Sequence, residues 1–173
     1  MRKFAGLFLL VMLLAVPAFA QDYPKGEVAV GYNYLRVNPG SGLSGINTNG
    51  WTASAVGNFK DWLGVEGQFS GNYKTVSSVK THVYTYLFGL KLASRKNEKF
   101  TPYAHALFGG ASIGGGGTSE KGFAMAFGGG LDVKANNNIA IRVGQFDFVP
   151  THILSAWQKN FSYSVGIVFR FSK

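Results

Sequence analysis

The sequence predicts an all-β protein: an eight-stranded antiparallel up-and-down transmembrane β-barrel that follows a cleaved signal peptide. Three observations predict it. From Phe161 to Phe171 large apolar residues fall at every second position, and seven further segments repeat that period of two, the mark of a strand with two unlike faces. After Ala20 no apolar run approaches the roughly 20 residues that a spanning helix needs. Charged residues make up only 14% of the chain against 15% aromatics and 24 glycines, a charged share well below the ~25% of ordinary soluble domains.

The first element is the leader. Arg2 and Lys3 precede a 13-residue apolar run, Phe4 to Val16, followed by Pro17 and the small-residue site Ala18-Phe19-Ala20. That order is the layout of a secretory signal peptide, and the run is short for a membrane anchor. Cleavage is expected after Ala20, so residues 1–20 are the leader and residues 21–173 the barrel domain.

The strands follow in order. Gly26 to Arg36 sets Val28, Val30, Tyr32 and Tyr34 against Glu27, Ala29, Gly31 and Asn33. Gly50 to Lys60 sets Trp51, Ala53, Ala55 and Phe59 against Thr52, Ser54, Val56 and Asn58. Trp62 to Lys74 sets Leu63, Val65, Phe69 and Tyr73 against Gly64, Glu66, Gln68, Ser70 and Asn72. Val79 to Ala93 sets Tyr84, Tyr86, Phe88, Leu90 and Leu92 against Val83, Thr85, Leu87, Gly89 and Lys91. Phe100 to Ser112 can be read with His105 on either face; the inner face is favoured because a polar ring against lipid is costly. Lys121 to Lys134 sets Phe123, Met125, Phe127, Leu131 and Val133 against Ala124, Ala126, Gly128, Gly130, Asp132 and Lys134. Ile139 to Val149 changes phase after Val143, which predicts a β-bulge near Gly144. The eighth strand ends at Phe171. Its apolar face carries Tyr163, Val165, Ile167 and Phe169.

Connections alternate. Lys60-Asp61-Trp62 and Ala135 to Asn138 read as tight turns and Ser94 to Lys99 as a middling one, while Val37–Asn49, Thr75–Ser78, Ile113–Glu120 and Pro150–Gln158 read as longer loops. Short turns at one end and longer loops at the other is the plan of bacterial outer-membrane barrels.

Alternation alone does not say which face is wet, because a soluble lipocalin-like barrel also alternates. Volume decides. The apolar face carries well over twenty large residues, and an eight-stranded barrel has an interior just wide enough for modest side chains. The apolar face therefore looks outward to lipid. The other face, mostly Gly, Ala, Ser, Thr and Asn, lines the interior.

Four stretches, Tyr84–Lys91, Thr101–Gly110, Ile141–Asp147 and Tyr163–Phe171, together with the leader, give the chain a resemblance to the outer-membrane β-barrel family that includes the small barrels of outer-membrane proteins A and X. The resemblance covers the whole mature chain. It implies an outer-membrane location, contact with lipid and lipopolysaccharide, and recognition by the barrel-assembly machinery. Tyr163, Val165, Ile167, Phe169 and Phe171 match the alternating C-terminal assembly signal, from which the chain departs by adding Ser172 and Lys173.

Several chemistries lack support. There is no cysteine, hence no disulfide or thiolate chemistry. The three histidines, His82, His105 and His152, show no metal-binding spacing, and Gly114 to Gly117 lacks the Gly-Lys-Ser/Thr ending of a phosphate loop. No cofactor or metal is expected. The net charge of +9 is scattered, which argues against nucleic acid. His152 with Ser155 is the one conceivable nucleophile pair, relevant because some small barrels of the family modify lipid A.

What remains is a non-enzymatic, monomeric barrel with a structural or surface role. A passive channel is the alternative, and a lipid A-modifying enzyme is the third reading. Four acids, Glu27, Glu66, Asp132 and Asp147, and four bases, Lys91, Lys134, Arg142 and Arg170, fall on the inner face. An unpaired charge in a narrow interior is expensive, so these are expected to pair across the bore. Glu66 with Arg142 is the first expected pair, and Arg170 with Asp147 or Glu27 the second. Trp51, Trp62, Tyr73, Tyr84 and Trp157 are expected at the two membrane interfaces, and Lys74, Lys80, Lys121 and Lys159 at an outer rim facing lipopolysaccharide phosphates.

Overall fold

The computed structural model describes residues 23–38, 45–76, 79–115, 118–153 and 156–172. The expected signal peptide, Gly116 and Ser155 lie outside the described residues. Eight strands follow in chain order: β1 Gly26–Val37, β2 Ile46–Asn58, β3 Leu63–Val76, β4 Val79–Ala93, β5 Phe100–Gly115, β6 Thr118–Lys134, β7 Ile139–Ile153 and β8 Ala156–Phe171. Each pairs antiparallel with the next, and β1 pairs with β8, so the sheet closes on itself. Closure leaves no unpaired edge, which a sheet in lipid requires.

The barrel is inverted relative to a soluble protein. Val30, Phe69, Phe88, Leu90, Ile141, Phe146 and Ile167 lie exposed on the outer surface, while Glu66, Asn72, Lys91 and Asp132 are buried. On β5, Tyr103, His105 and Leu107 face in and Ala104 and Phe108 face out, the favoured of the two readings of that strand. The bulge on β7 is present. Arg142 opposes Asp132 and Gly144 opposes Leu131, so Val143 is the extra residue, and the β7–β8 register breaks between Arg142 and Gln145.

The two ends differ. At the terminal end, where β1 begins and β8 ends, four to six residues join consecutive strands, whereas at the distal end only β1 and β2 are separated by more than two, so the expected contrast of short turns with longer loops is confined to that one connection. Asn136 Oδ1 accepts from the backbone N–H of Asn138 and Ile139, and Asn97 Oδ1 accepts from those of Lys99 and Phe100, the side-chain-to-backbone bonding that suits Asn to turns. At the distal end the strands run further than alternation predicts. Ile113 to Gly115 pair with Thr118 to Glu120, and Val149 to Ile153 pair with Ala156 to Asn160. Residues expected as loops are thus largely strand. Backbone pairing needs no amphipathic pattern, and beyond the bilayer both faces are wet, so the pattern fades while the ladder continues.

Close strand approach explains one glycine pair. Gly31 and Gly166 face each other across β1 and β8, and a Cβ on either would collide with the neighbouring backbone carbonyl, of Val165 and Val30 respectively.

Candidate functional site

The interior of the terminal half is a charged network built by inward positions of seven strands, all but β2. Glu27 on β1 is its first hub. Lys91 Nζ on β4 donates to Glu27 Oε2 at 2.8 Å, Arg95 Nη2 donates to Oε1 at 2.8 Å, and Arg170 Nε on β8 lies 3.8 Å from Oε1. Arg95 also donates to the backbone carbonyl of Asp61. Glu27 and Arg170 are direct partners in the β1–β8 register, whereas Lys91 reaches Glu27 across the bore.

His105 is the second hub. Its Nδ1 lies 2.9 Å from Glu66 Oε2 on β3, and its Nε2 lies 2.9 Å from Asp147 Oδ1 on β7. All three side chains are buried. One ring thus spans the barrel between strands on opposite sides. Two ring nitrogens facing two carboxylates need a hydrogen on each line, one more than a neutral imidazole carries. Gly128 is the partner of Asp147, and a Cβ there would run into Asp147 Oδ1, so the bare backbone makes room for this bridge.

Arg142 forms the third hub. Its Nε donates to Asp132 Oδ1 at 2.9 Å and its Nη2 to Oδ2 at 3.2 Å, a two-pronged fork, while Nη1 donates to Gln145 Oε1 at 2.8 Å. Tyr103 hydroxyl donates to the same Gln145 oxygen at 2.6 Å, and Gln145 Nε2 donates to Asp147 Oδ2 at 2.6 Å and Gln68 Oε1 at 3.1 Å. The Tyr103 ring is approached by Lys91 Nζ at 4.4 Å and Arg142 Cζ at 4.6 Å. Tyr103 and Gln145 therefore tie the three hubs into one network.

The distal half of the interior has a different chemistry. Leu87, Leu107, Ala111, Ala124, Ala126, Val149 and Ile153 form a buried apolar cluster, and Leu35, Val37 and Val83 a second. Beside them amides and hydroxyls pair with one another: Asn33 Nδ2 donates to Asn72 Oδ1 at 2.9 Å, Ser162 Oγ donates to Asn33 Oδ1 at 2.6 Å, and the Ser70 and Thr85 hydroxyls are 2.7 Å apart.

The expected pairs are rearranged. Glu66 does not pair with Arg142. Asp132 stands directly opposite Arg142 in the β6–β7 register and takes its guanidinium, and Glu66 goes to His105. Arg170 approaches Glu27 and not Asp147, because Asp147 sits higher on β7, opposite Ser162. Lys134 enters no ion pair among the described residues; it is half-buried at the last position of β6, next to the turn. Sequence reasoning placed Gln68 and Gln145 inside without a network role and His105 inside as a hydrogen-bonding residue without naming its partners, and missed Tyr103 and Arg95. The inward phase of Tyr103 and Gln145 was a usable signal. Arg95 lies in a turn, where no periodicity shows that its side chain reaches inward.

On the exterior, Trp51, Trp62, Tyr73, Tyr84 and Trp157 are all exposed. Trp51, Tyr73 and Tyr84 cluster at the distal end: Trp51 Nε1 donates to the Tyr73 hydroxyl at 3.4 Å, and the two tyrosine hydroxyls are 3.3 Å apart. Trp62 lies at the terminal end and Trp157 at the distal end, where the His152 ring packs against it tilted by 51°, with centroids 5.0 Å apart. Tyr163, Val165, Ile167, Phe169 and Phe171 share the outer face of β8. Lys74, Lys121 and Lys159 are exposed near the distal end, and the Lys80 side chain lies outside the described ones.

A closed antiparallel barrel with an apolar exterior and a charged interior defines an integral outer-membrane barrel protein. The chain belongs to the outer membrane protein β-barrel domain family, whose model matches residues 6–171. No curated protein matches the sequence significantly. Among solved structures it is similar to Ail, the attachment invasion locus protein of Yersinia pestis, at 21% identity over 86% of this chain and 99% of that one, with a TM-score of 0.60. It is also similar to Neisserial surface protein A, at 14% identity over 87% and 100% with a TM-score of 0.70. A third is OprG from Pseudomonas aeruginosa, at 12% identity over 87% and 98% with a TM-score of 0.57. Similarity at these identities shows the fold; the location in the outer membrane follows from it and from the family.

Proposed function

We propose that the protein is a non-catalytic, monomeric outer-membrane barrel whose interior is closed to ions and whose work is done at its surface. The observation that carries this reading is the His105 bridge between Glu66 and Asp147, which crosses the bore at mid-barrel, with the apolar clusters above it. A bore crossed by bonded side chains and lined by Leu and Ala beyond them leaves no continuous wet path. Planar bilayer recording tests it: the folded protein should show no steady conductance. A large, stable conductance would overturn the closed interior and favour the passive channel.

Both termini are assigned to the periplasmic side, because at the opposite end the β5–β6 and β7–β8 hairpins run on past the alternating, lipid-facing stretch, the end at which such barrels carry their longer extracellular segments. Epitope tags at Gly45 and Gly116 should be reached by antibody on intact cells, and a tag at Asn137 should not. The C-terminal strand, with Tyr163, Val165, Ile167, Phe169 and Phe171 on one face, supports delivery by the barrel-assembly machinery.

The distal rim supports contact with lipopolysaccharide. Lys121 and Lys159 point outward, and exposed Arg36 lies on the same face of β1 beside Phe161 of β8. Cations at this level favour anionic phosphates. Ail of Yersinia pestis has been solved with the heparin analogue sucrose octasulfate, a polyanion of comparable charge chemistry. Neutral substitution of Arg36, Lys121 and Lys159 should reduce lipopolysaccharide retained in detergent; unchanged retention would reject this contact.

A further inference from the structure

We infer that the terminal rim of the barrel carries a binding site for a net-anionic glycerophospholipid, with its phosphate held by Lys60 and Lys99 and one acyl chain lying in a groove between Trp62 and Ala104. Three independent features converge there. An open groove of about 340 Å³ on the outer surface is lined by Trp62, Leu92, Ser94, Pro102 and Ala104. Its trough has a simple origin: outward Leu92 of β4 faces Ala104 of β5, and Ala104 faces Gly129 of β6, so bulk on one side meets two small residues on the other. Lys60 holds its ammonium 5.6 Å from the Trp62 ring centroid, and Lys99 holds its ammonium 6.0 Å from that of Phe100.

The rings are exposed on the lipid-facing surface, Trp62 at 48% and Phe100 at 43%. Each ring therefore offers its lysine a weak contact at the level where an apolar wall gives way to water, which is where a lipid phosphate sits. Lys60 lies in the β2–β3 turn and Lys99 in the β4–β5 turn, so they flank the groove from two sides. Ser94, the next outward position after Leu92, adds a hydroxyl at its mouth. Asp61 and Glu98 lie in the same two turns, but Lys60, Lys96 and Lys99 outnumber them, and Arg95 turns inward to Glu27. The site is therefore a positive rim over an apolar trough, complementary to an anionic headgroup on a hydrocarbon tail. The choice of phospholipid over lipopolysaccharide rests on the assignment of this end to the periplasmic leaflet.

The test uses Trp62 as a reporter. The full chain bearing Trp51→Phe and Trp157→Phe, folded in phosphatidylcholine vesicles with a minor fraction of phosphatidylglycerol, retains Trp62 as its single tryptophan. Bromine is placed on the acyl chains of one lipid or the other at equal mole fraction. Brominated phosphatidylglycerol should quench Trp62 more strongly, with local enrichment up to about five-fold per lysine. The enrichment should collapse in K60Q/K99Q, persist in K60R/K99R, fall in A104L, which fills the trough, and fall in unsubstituted lysine protein as salt is raised. The salt titration needs no lysine variant to fold. Equal quenching by the two brominated lipids, or enrichment that survives K60Q/K99Q, overturns the proposal. The vesicle result does not depend on which leaflet holds the rim in cells; tag labelling reads that orientation separately.

Discussion

The two halves of the barrel interior solve one packing problem with opposite chemistry. The terminal half is filled mainly by ions, beside one small apolar cluster of Ala29, Ala140 and Val168: Glu27 holds Lys91, Arg95 and Arg170, Asp132 holds Arg142, and His105 joins Glu66 to Asp147. The distal half is filled by Leu87, Leu107, alanines and valines, with neutral amide and hydroxyl pairs beside them. Charges in a narrow bore are tolerable only where each finds a partner, so they cluster where the register brings acid and base together. If the interior is closed as proposed, the difference teaches that blocking ions and fixing register need not be the same device. Long-range ionic contacts specify which strand meets which, and an apolar collar excludes water without specifying partners.

The comparison can be broken most sharply at Glu27. E27Q removes the carboxylate that serves three cations and should cost about 3–5 kcal/mol, the cost of orphaning a buried charge. Its urea midpoint in detergent should fall accordingly, with no gain in conductance, since the distal collar is intact. A midpoint within error of wild type would mean that water, and not Glu27, solvates those cations.

Leu107, fully buried in the distal cluster, comes next. L107A should cost about 2–4 kcal/mol through lost burial and a residual cavity. The polar double variant L87S/L107S should introduce conductance that E27Q does not. Conductance in E27Q and none in L87S/L107S would reverse the assignment of the two halves.

Within the terminal half, double-mutant cycles separate real partners from neighbours. Asp132 and Arg142, replaced by Asn and Met, should show a coupling of about 1–3 kcal/mol, and Glu66 with Arg142 clearly less. Equal couplings would show that the network shares charge so broadly that single pairs lose meaning. The smallest effect is expected outside the barrel. Tyr73→Phe removes the hydroxyl between Trp51 and Tyr84 on the exposed distal surface, and should leave the unfolding midpoint unchanged while altering the Trp51 emission.

Strand number, inside–outside assignment, the bulge after Val143 and the inward facing of His105 were legible because each rests on a period of two, which any residue reports about itself. Partner choice was not legible. Glu66 and Arg142 share the inner face, but whether they touch depends on the stagger of strands around a closed barrel, which no single strand encodes. The distal ends of β5, β6, β7 and β8 were missed because their pairing continues where the alternation has faded.

By itself, the sequence determined that the chain forms eight two-faced strands, that the large apolar face looks outward, and that acids and bases share the inner face. Only the tertiary structure decided that Arg142 takes Asp132, that His105 spans the bore, that Arg95 turns inward from its turn, and that Trp62 and Ala104 frame a groove beneath Lys60 and Lys99. The reason is physical: periodicity is a local property of a strand, whereas register, shear and the reach of a side chain across a bore are properties of the closed sheet.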